Sequence, residues 1–270
     1  MRAGAVRPRD AGRVSRPDRR GSFEGLPHIL NSARLRYAAV SSSPRPQPVS
    51  GSELDGDDQQ LPGFPGSTLI RTQMDTAIEH LHALGVLLVD AKVAYPYALV
   101  TLLRASLEEA AEATWLLAPD QRDERVLRAL RVWCRDFGDR AEYEKMRPQQ
   151  PGRKTGLDRQ ADMLALTKQL GLNAGTVGGR LNTTSIIAQA ADIVGHKDEA
   201  LRLWSLSSGL THGRYWARLV GLELVGATPA PGGFTLEVTA SEAEVVALGR
   251  VCWALIEHGE RLYKQRSGIQ

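Results

Sequence analysis

The sequence predicts a mainly α-helical fold: a bundle of about seven helices with one small β-hairpin before the last helix. Three observations carry this. From residue 67 onward, apolar residues recur every three to four positions over stretches too long for strands. Proline and glycine punctuate those stretches at Pro96, Pro119, Gly171, Gly195 and Gly213. Only between residues 222 and 240 does the period fall to two.

The first helix opens at Ser67, with Leu69, Met74, Ile78, Leu81, Leu84 and Leu88 on one stripe. Pro96 ends it or starts the next, since proline is tolerated in a first turn. The second helix runs to about Leu117 and ends at Pro119; it is the most apolar, which places it centrally. Asp120 is the expected N-cap of a third helix, with Asp123 and Glu124 in its first turn and Val126, Leu130, Trp133 and Phe137 inward. Arg125, Arg128, Arg131, Arg135 and Arg140 alternate with acids there and read as a solvated face. A basic loop precedes a fourth helix that closes at Gly171. Thr183 or Thr184 caps a short fifth, and residues 197–213 form a sixth that breaks near Gly209 or Gly213. Leu222 and Leu224, then Phe234, Leu236 and Val238, alternate as two strands around a long turn, VGATPAPGG. Ser241 and Glu244 form the expected capping box of the last helix, lined by Val245, Leu248, Cys252, Leu255 and Ile256.

Residues 1–66 differ in composition. They hold ten arginines and seven acids, which accounts for the whole formal charge of +3. Arginine, proline, glycine and serine dominate, too little apolar surface to offset chain entropy. The expected organisation is a disordered tail over 1–66, with a short helix at 26–40, and one helical domain over 67–270. Such a tail can hold nucleic acid electrostatically; a solvated terminus is the favoured reading. Without an apolar stretch behind the charges it is not a secretory signal. No window reaches the roughly 18 uninterrupted apolar residues of a membrane helix, so no membrane partner is expected. Cys134 and Cys252 stand alone in helices, which fits a reduced, cytoplasmic protein that uses them as small buried hydrophobes.

Most catalytic signatures are missing. There is no phosphate-binding loop, no GxGxxG after a strand, no GxSxG and no HExxH. Glu79 and His82 make one ExxH; a di-iron bundle needs two, so no metal and no cofactor are expected. His28, His196 and His258 have no partner pattern, and the five tryptophans fall at core spacing.

Two polar pairs stand out inside apolar helices: Arg104 with Glu108, and Ser208 with His212. Each is spaced i, i+4 and so shares a helix face. A charge among leucines and tryptophans needs a partner. One reading is a small pocket in which His212 is general acid or base, Arg104 holds an anion, Glu108 orients the histidine, and Ser208 is a nucleophile if His212 reaches its hydroxyl. The other is a structural lock: Arg104 pairs with Glu108, and His212 with Ser208 closes a helix contact. The lock is favoured, because no motif geometry accompanies the four residues.

The segments ALVTLLRASLEEAAEATWLLAPDQRDERVLRAL and LWSLSSGLTHGRYW resemble those of uncharacterised, mainly bacterial all-helical proteins with an Arg-x-x-x-Glu helix early and a Ser-x-x-x-His helix late. That resemblance implies a helical bundle whose polar residues are Arg104, Glu108, Ser208 and His212. More distantly the chain is similar to HEPN-type helical domains, many of them ribonucleases with an Arg-x4-His motif. Here Ser207 stands five residues before His212, and none of the six histidines has arginine at that offset. The leading expectation is a binding or regulatory module, self-associating through an apolar helix face. The alternatives are a HEPN-like ribonuclease or toxin using His212 with Arg104, and a small-molecule pocket lined by the same four residues.

Overall fold

The computed structural model describes residues 23–43, 45–147 and 152–269. Among them are eleven α-helices and a two-stranded antiparallel hairpin before the last helix, so the fold is mainly α. The helices are α1 (Leu26–Ser42), α2 (Glu53–Gln59), α3 (Gly66–Gly85), α4 (Pro96–Leu117), α5 (Arg122–Glu144), α6 (Gly156–Gln169), α7 (Ala174–Val177), α8 (Thr183–Ile193), α9 (Lys197–Thr211), α10 (Tyr215–Gly221) and α11 (Glu242–Ser267). A π-helical turn, Val86–Asp90, extends α3. The strands are β1 (Leu222–Ala230) and β2 (Gly233–Ala240).

The apolar α4 is the centre, as its composition predicts. It packs against α3, α11, α8 and α9, and Leu99, Leu103, Leu107, Ala111 and Leu117 are wholly buried. Its two fully buried hydroxyls find backbone partners. Ser106 Oγ donates to the Ala77 carbonyl at 3.0 Å and Thr114 Oγ1 to the Leu255 carbonyl at 3.1 Å. Both ties join α4 to a neighbour without leaving a buried polar group unpaired. Among the described residues, no helix is long and apolar enough to cross a membrane.

The expected boundary at residue 66 is corrected. Leu26, Ile29, Leu30 and Ala33 repeat at helical spacing, and α1 buries all four, packing on α3 and α11. Tyr37 of α1 stacks on His82 of α3 with ring centroids 4.3 Å apart. Leu54, Leu61 and Phe64 also belong to the core. Averaged over 66 residues, these apolar positions vanish into polar flanks; in register on one face they suffice to dock a helix. Residues 1–22, where most of the arginine-rich tail lies, fall outside the described residues.

Several helix starts also differ. Gln121, not Asp120, precedes α5, and Asn182, not Thr183 or Thr184, caps α8 with its side-chain oxygen on the Ser185 amide. The Ser241–Glu244 capping box does not form; Glu244 instead accepts from Arg202 of α9 at 2.8 Å. In each case a longer-range partner or a better cap one residue away wins.

α9 ends where Gly213 adopts φ 65°, a left-handed conformation that costs glycine nothing. The chain then restarts as the short α10, which leads directly into β1. The expected long turn is also corrected. The strands stay paired to Ala230 opposite Gly233, past a bulge between Leu224 and Gly226, and turn on Pro231–Gly232 alone. Proline followed by glycine at φ 84° is the chemistry of a type II turn.

Candidate functional site

α4 and α9 pack side by side and bring three of the four candidate residues together. Arg104 Nε donates to Glu108 Oε1 at 3.0 Å, one helical turn away. Trp204 of α9 donates its indole N–H to the same Glu108 oxygen at 2.7 Å. The Arg104 guanidinium lies 5.9 Å from the Trp204 ring centroid, and its Nη1 is 3.5 Å from His212 Nε2. The hydroxyls of Thr101 and Thr211 meet at 3.1 Å. Trp204 is the member that sequence reasoning assigned to packing alone; its i−4 spacing from Ser208 was the available signal.

Ser208 is not joined to His212 by its side chain. The only link is helical: the His212 amide donates to the Ser208 carbonyl at 3.1 Å. The serine hydroxyl makes no hydrogen bond among the described residues, so nothing activates it as a nucleophile. His212 follows the last residue of α9 and is exposed. The Arg104 and Glu108 side chains keep 20% and 30% of their surface in solvent. The cluster is therefore neither a sealed core lock nor a deep pocket. It is a half-open seam between two helices, with one ion pair inside and an exposed imidazole at its mouth.

A cleft does open nearby, between α4, α9 and α11. Val100, Leu203, Leu206, Leu210, Val245 and Leu248 line it, with Glu244 and Ser207. None of the four candidates lines this cleft. Among the described residues, no three His, Cys, Asp or Glu side chains gather as metal ligands. Glu79 is exposed and His82 is occupied by Tyr37. Cys134 and Cys252 are buried and unpaired, and burial pushes the Cys252 thiol up to about 12, which makes it inert.

The expected solvated face of α5 is corrected: Arg125 and Arg135 enter two charge clusters that lie largely inside the molecule. Arg125 of α5 and Asp57 of α2 are each 4% exposed. They form a two-pronged pair, Nε to Oδ2 at 2.6 Å and Nη2 to Oδ1 at 3.0 Å. Arg122 adds a bond to Asp57 at 3.1 Å. The remaining Arg125 nitrogen donates to the Pro119 and Asp120 carbonyls. Beside it, buried Arg266 of α11 donates to the Leu117 carbonyl, to Glu53 and to Asp120. Asp120, one residue before the N-cap, thus gives its carbonyl to Arg125 and its Oδ1 to Arg266.

In the second cluster, Arg135 of α5 holds Glu112 of α4 through both oxygens, at 2.6 and 2.7 Å, and Gln73 of α3 donates to Glu112 at 2.5 Å. Glu109 lies beside them without that clasp. Burial first, then the neighbouring Glu112, pushes its carboxyl up to about 7, against the pull of Arg135.

The apolar residues exposed on the surface concentrate at one end of the chain's order. On α10, Tyr215, Trp216, Leu219 and Val220 are all at least half open or close to it; on the hairpin, Leu224, Phe234 and Leu236 are 62%, 69% and 52% exposed. Trp216 thus departs from the core role its spacing predicts. The hairpin register sorts the strands by face. Leu222, Leu224, Ala227 and Pro229 stand opposite Ala240, Val238, Leu236 and Phe234, so one face is wholly apolar. The other face carries Glu223, Thr228, Thr235, Glu237 and Thr239. The bundle covers the apolar face only at its base, where Leu222 and Ala240 are buried.

Comparison with protein-family models, with curated proteins and with solved structures finds no match to this chain.

Proposed function

We propose that this chain is a protein-interaction module whose contact surface is the distal apolar face of the β1–β2 hairpin together with α10. The observation that carries this reading is the hairpin itself. A two-stranded hairpin is marginally stable alone, and an antiparallel sheet normally packs one face. Here the apolar face runs the length of both strands and is left open beyond its base. Contiguous apolar exposure of this kind marks interaction sites. The test is a photo-crosslinking benzophenone side chain placed at position 234 of the full chain in the cells that make it. A discrete covalent product is expected, absent when the probe stands at the equally exposed Leu35 of α1. No product from position 234 sinks the reading.

A second reading makes the Arg104–His212 seam a HEPN-like RNA-cleaving site. The approach of Arg104 to His212 favours it. Against it, Glu108 already neutralises Arg104, and among the described residues no carboxylate is bonded to the imidazole. Unstructured RNA incubated with the full chain decides: cleavage lost in His212→Ala supports the site, and intact RNA with wild type ends it. If RNA is merely bound through the arginines of residues 1–22, deleting them abolishes binding, and affinity falls steeply with salt. Two buried free thiols support a reducing, cytoplasmic setting, which fractionation of the native cells would check.

A further inference from the structure

Resting on that reading as an interaction module, we infer that the partner is a second copy of this chain, joined edge to edge through β2 about a two-fold axis at Thr235. The two edges of the hairpin are unlike. β1 carries a bulge after Leu224 and a proline at 229, two features that blunt an edge strand against pairing. β2, GFTLEVTA, has no proline, no lysine and no bulge. Its residues 233–237 are all exposed, whereas 238–240 sink towards the bundle. The free edge is therefore a five-residue segment centred on Thr235.

That segment is complementary to itself. In antiparallel pairing about Thr235, Phe234 of one copy stands opposite Leu236 of the other, twice, and on the apolar face. Such aromatic–aliphatic pairs are the favourable unit of sheet association. The single charge, Glu237, falls opposite Gly233 and not opposite its own copy, so no like charges meet. Thr235 faces Thr235, a pair that tolerates water or a hydroxyl contact. The product is a four-stranded sheet in the order β1–β2–β2–β1, with one continuous apolar face. An isologous two-fold contact of this kind closes on itself and leaves only the two blunted β1 edges outside, so it stops at a dimer. Pairing brings together the open Phe234 and Leu236 side chains of the two copies, 69% and 52% exposed in one chain, and joins the remaining apolar side chains into a single face. Both signs of charge are present as well: Arg214 precedes α10 and Arg218 lies within it, while the hairpin carries Glu223 and Glu237.

Sedimentation of the full chain over about 1–100 μM should show a dimer, with Leu236→Lys weakening it by roughly 100-fold or more at unchanged helicity. A second pair of variants does not depend on tolerance of that lysine. Thr235→Cys, at the axis, should oxidise to a disulfide-linked dimer at least about tenfold faster than Thr228→Cys on β1, because only position 235 meets its own copy within disulfide reach. The native cysteines are buried and do not compete. A chain that is monomeric up to about 100 μM overturns the inference, as does equal crosslinking at 235 and 228. If the chain is monomeric and benzophenone at 234 captures a different protein, the second copy is wrong and the interaction module stands. If the chain is monomeric and 234 captures nothing, both fall.

Discussion

Two arginine–carboxylate constellations occupy opposite roles in this bundle. At the α2–α5–α11 end, Arg125 and Asp57 are almost wholly buried, their pair is two-pronged, and carbonyls from the α4–α5 connection take the remaining donor. On the α4–α9 seam, Arg104 and Glu108 share one hydrogen bond, sit one helical turn apart, and stay partly in water. The chemistry is the same and the physics is not. Desolvation is what makes a charge dependent on its partner, so the buried pair fixes how distant elements meet, while the seam pair is nearly optional. Free capacity accompanies exposure. Every Arg125 nitrogen is engaged, whereas the seam keeps an unbonded serine hydroxyl and an exposed imidazole.

The largest effect that would break this contrast is removal of the upstream segment. A 67–270 chain lacks Asp57 and Glu53, leaving buried Arg125 without a carboxylate and Arg266 with Asp120 alone, while uncovering the face that α1 buries. It should lose more than about 5 kcal/mol and fail to unfold cooperatively in a thermal melt. A cooperative melt near that of the full chain would return the boundary to residue 66. Next in size, Arg125→Met in the full chain should cost about 3–5 kcal/mol in denaturant titration, because Asp57 is left buried with only the half-exposed Arg122.

Glu109 sharpens the comparison as an intermediate case, half-buried and unclasped. Its folded carboxyl titrates near 7, above an unfolded value in the ordinary range, so between those values the native state holds the extra proton. Wild-type stability from this group is present below pH 4.5 and is lost as pH rises through 7. Glu109→Gln should therefore be more stable than wild type above pH 7, by about 1–2 kcal/mol after solvent screening, and equal to it near pH 4. An unchanged difference across that range would show that Glu109 titrates normally. The smallest effect belongs to the seam: Arg104→Met should shift unfolding by no more than about 1 kcal/mol. A loss as large as that of Arg125→Met would make the seam a lock after all.

The candidate site was partly legible. An i, i+4 arginine–glutamate pair is a local event, and α4 forms it as read. Ser208 and His212 share a face by the same rule, yet His212 falls just past the end of α9, where Gly213 turns the chain, so a shared face gave no shared bond. Trp204 joined the cluster because α9 lies against α4, which no spacing announces. The arginines of α5 illustrate the same limit in reverse: their alternation with acids looked solvated, but Asp57 is 68 residues away from Arg125 in sequence.

By itself the sequence determined what is local. The 3.6-residue period set the helices, Pro96 marked the break between α3 and α4, the period of two set the hairpin, and overall apolarity put α4 at the centre. Tertiary structure alone decided which charges are buried, which of several capping residues is used, that residues 26–64 join the core, and that the hairpin's apolar face is left uncovered. The reason is physical. Periodicity is a property of one element, whereas desolvation and pairing belong to two elements at once and exist only after they have packed.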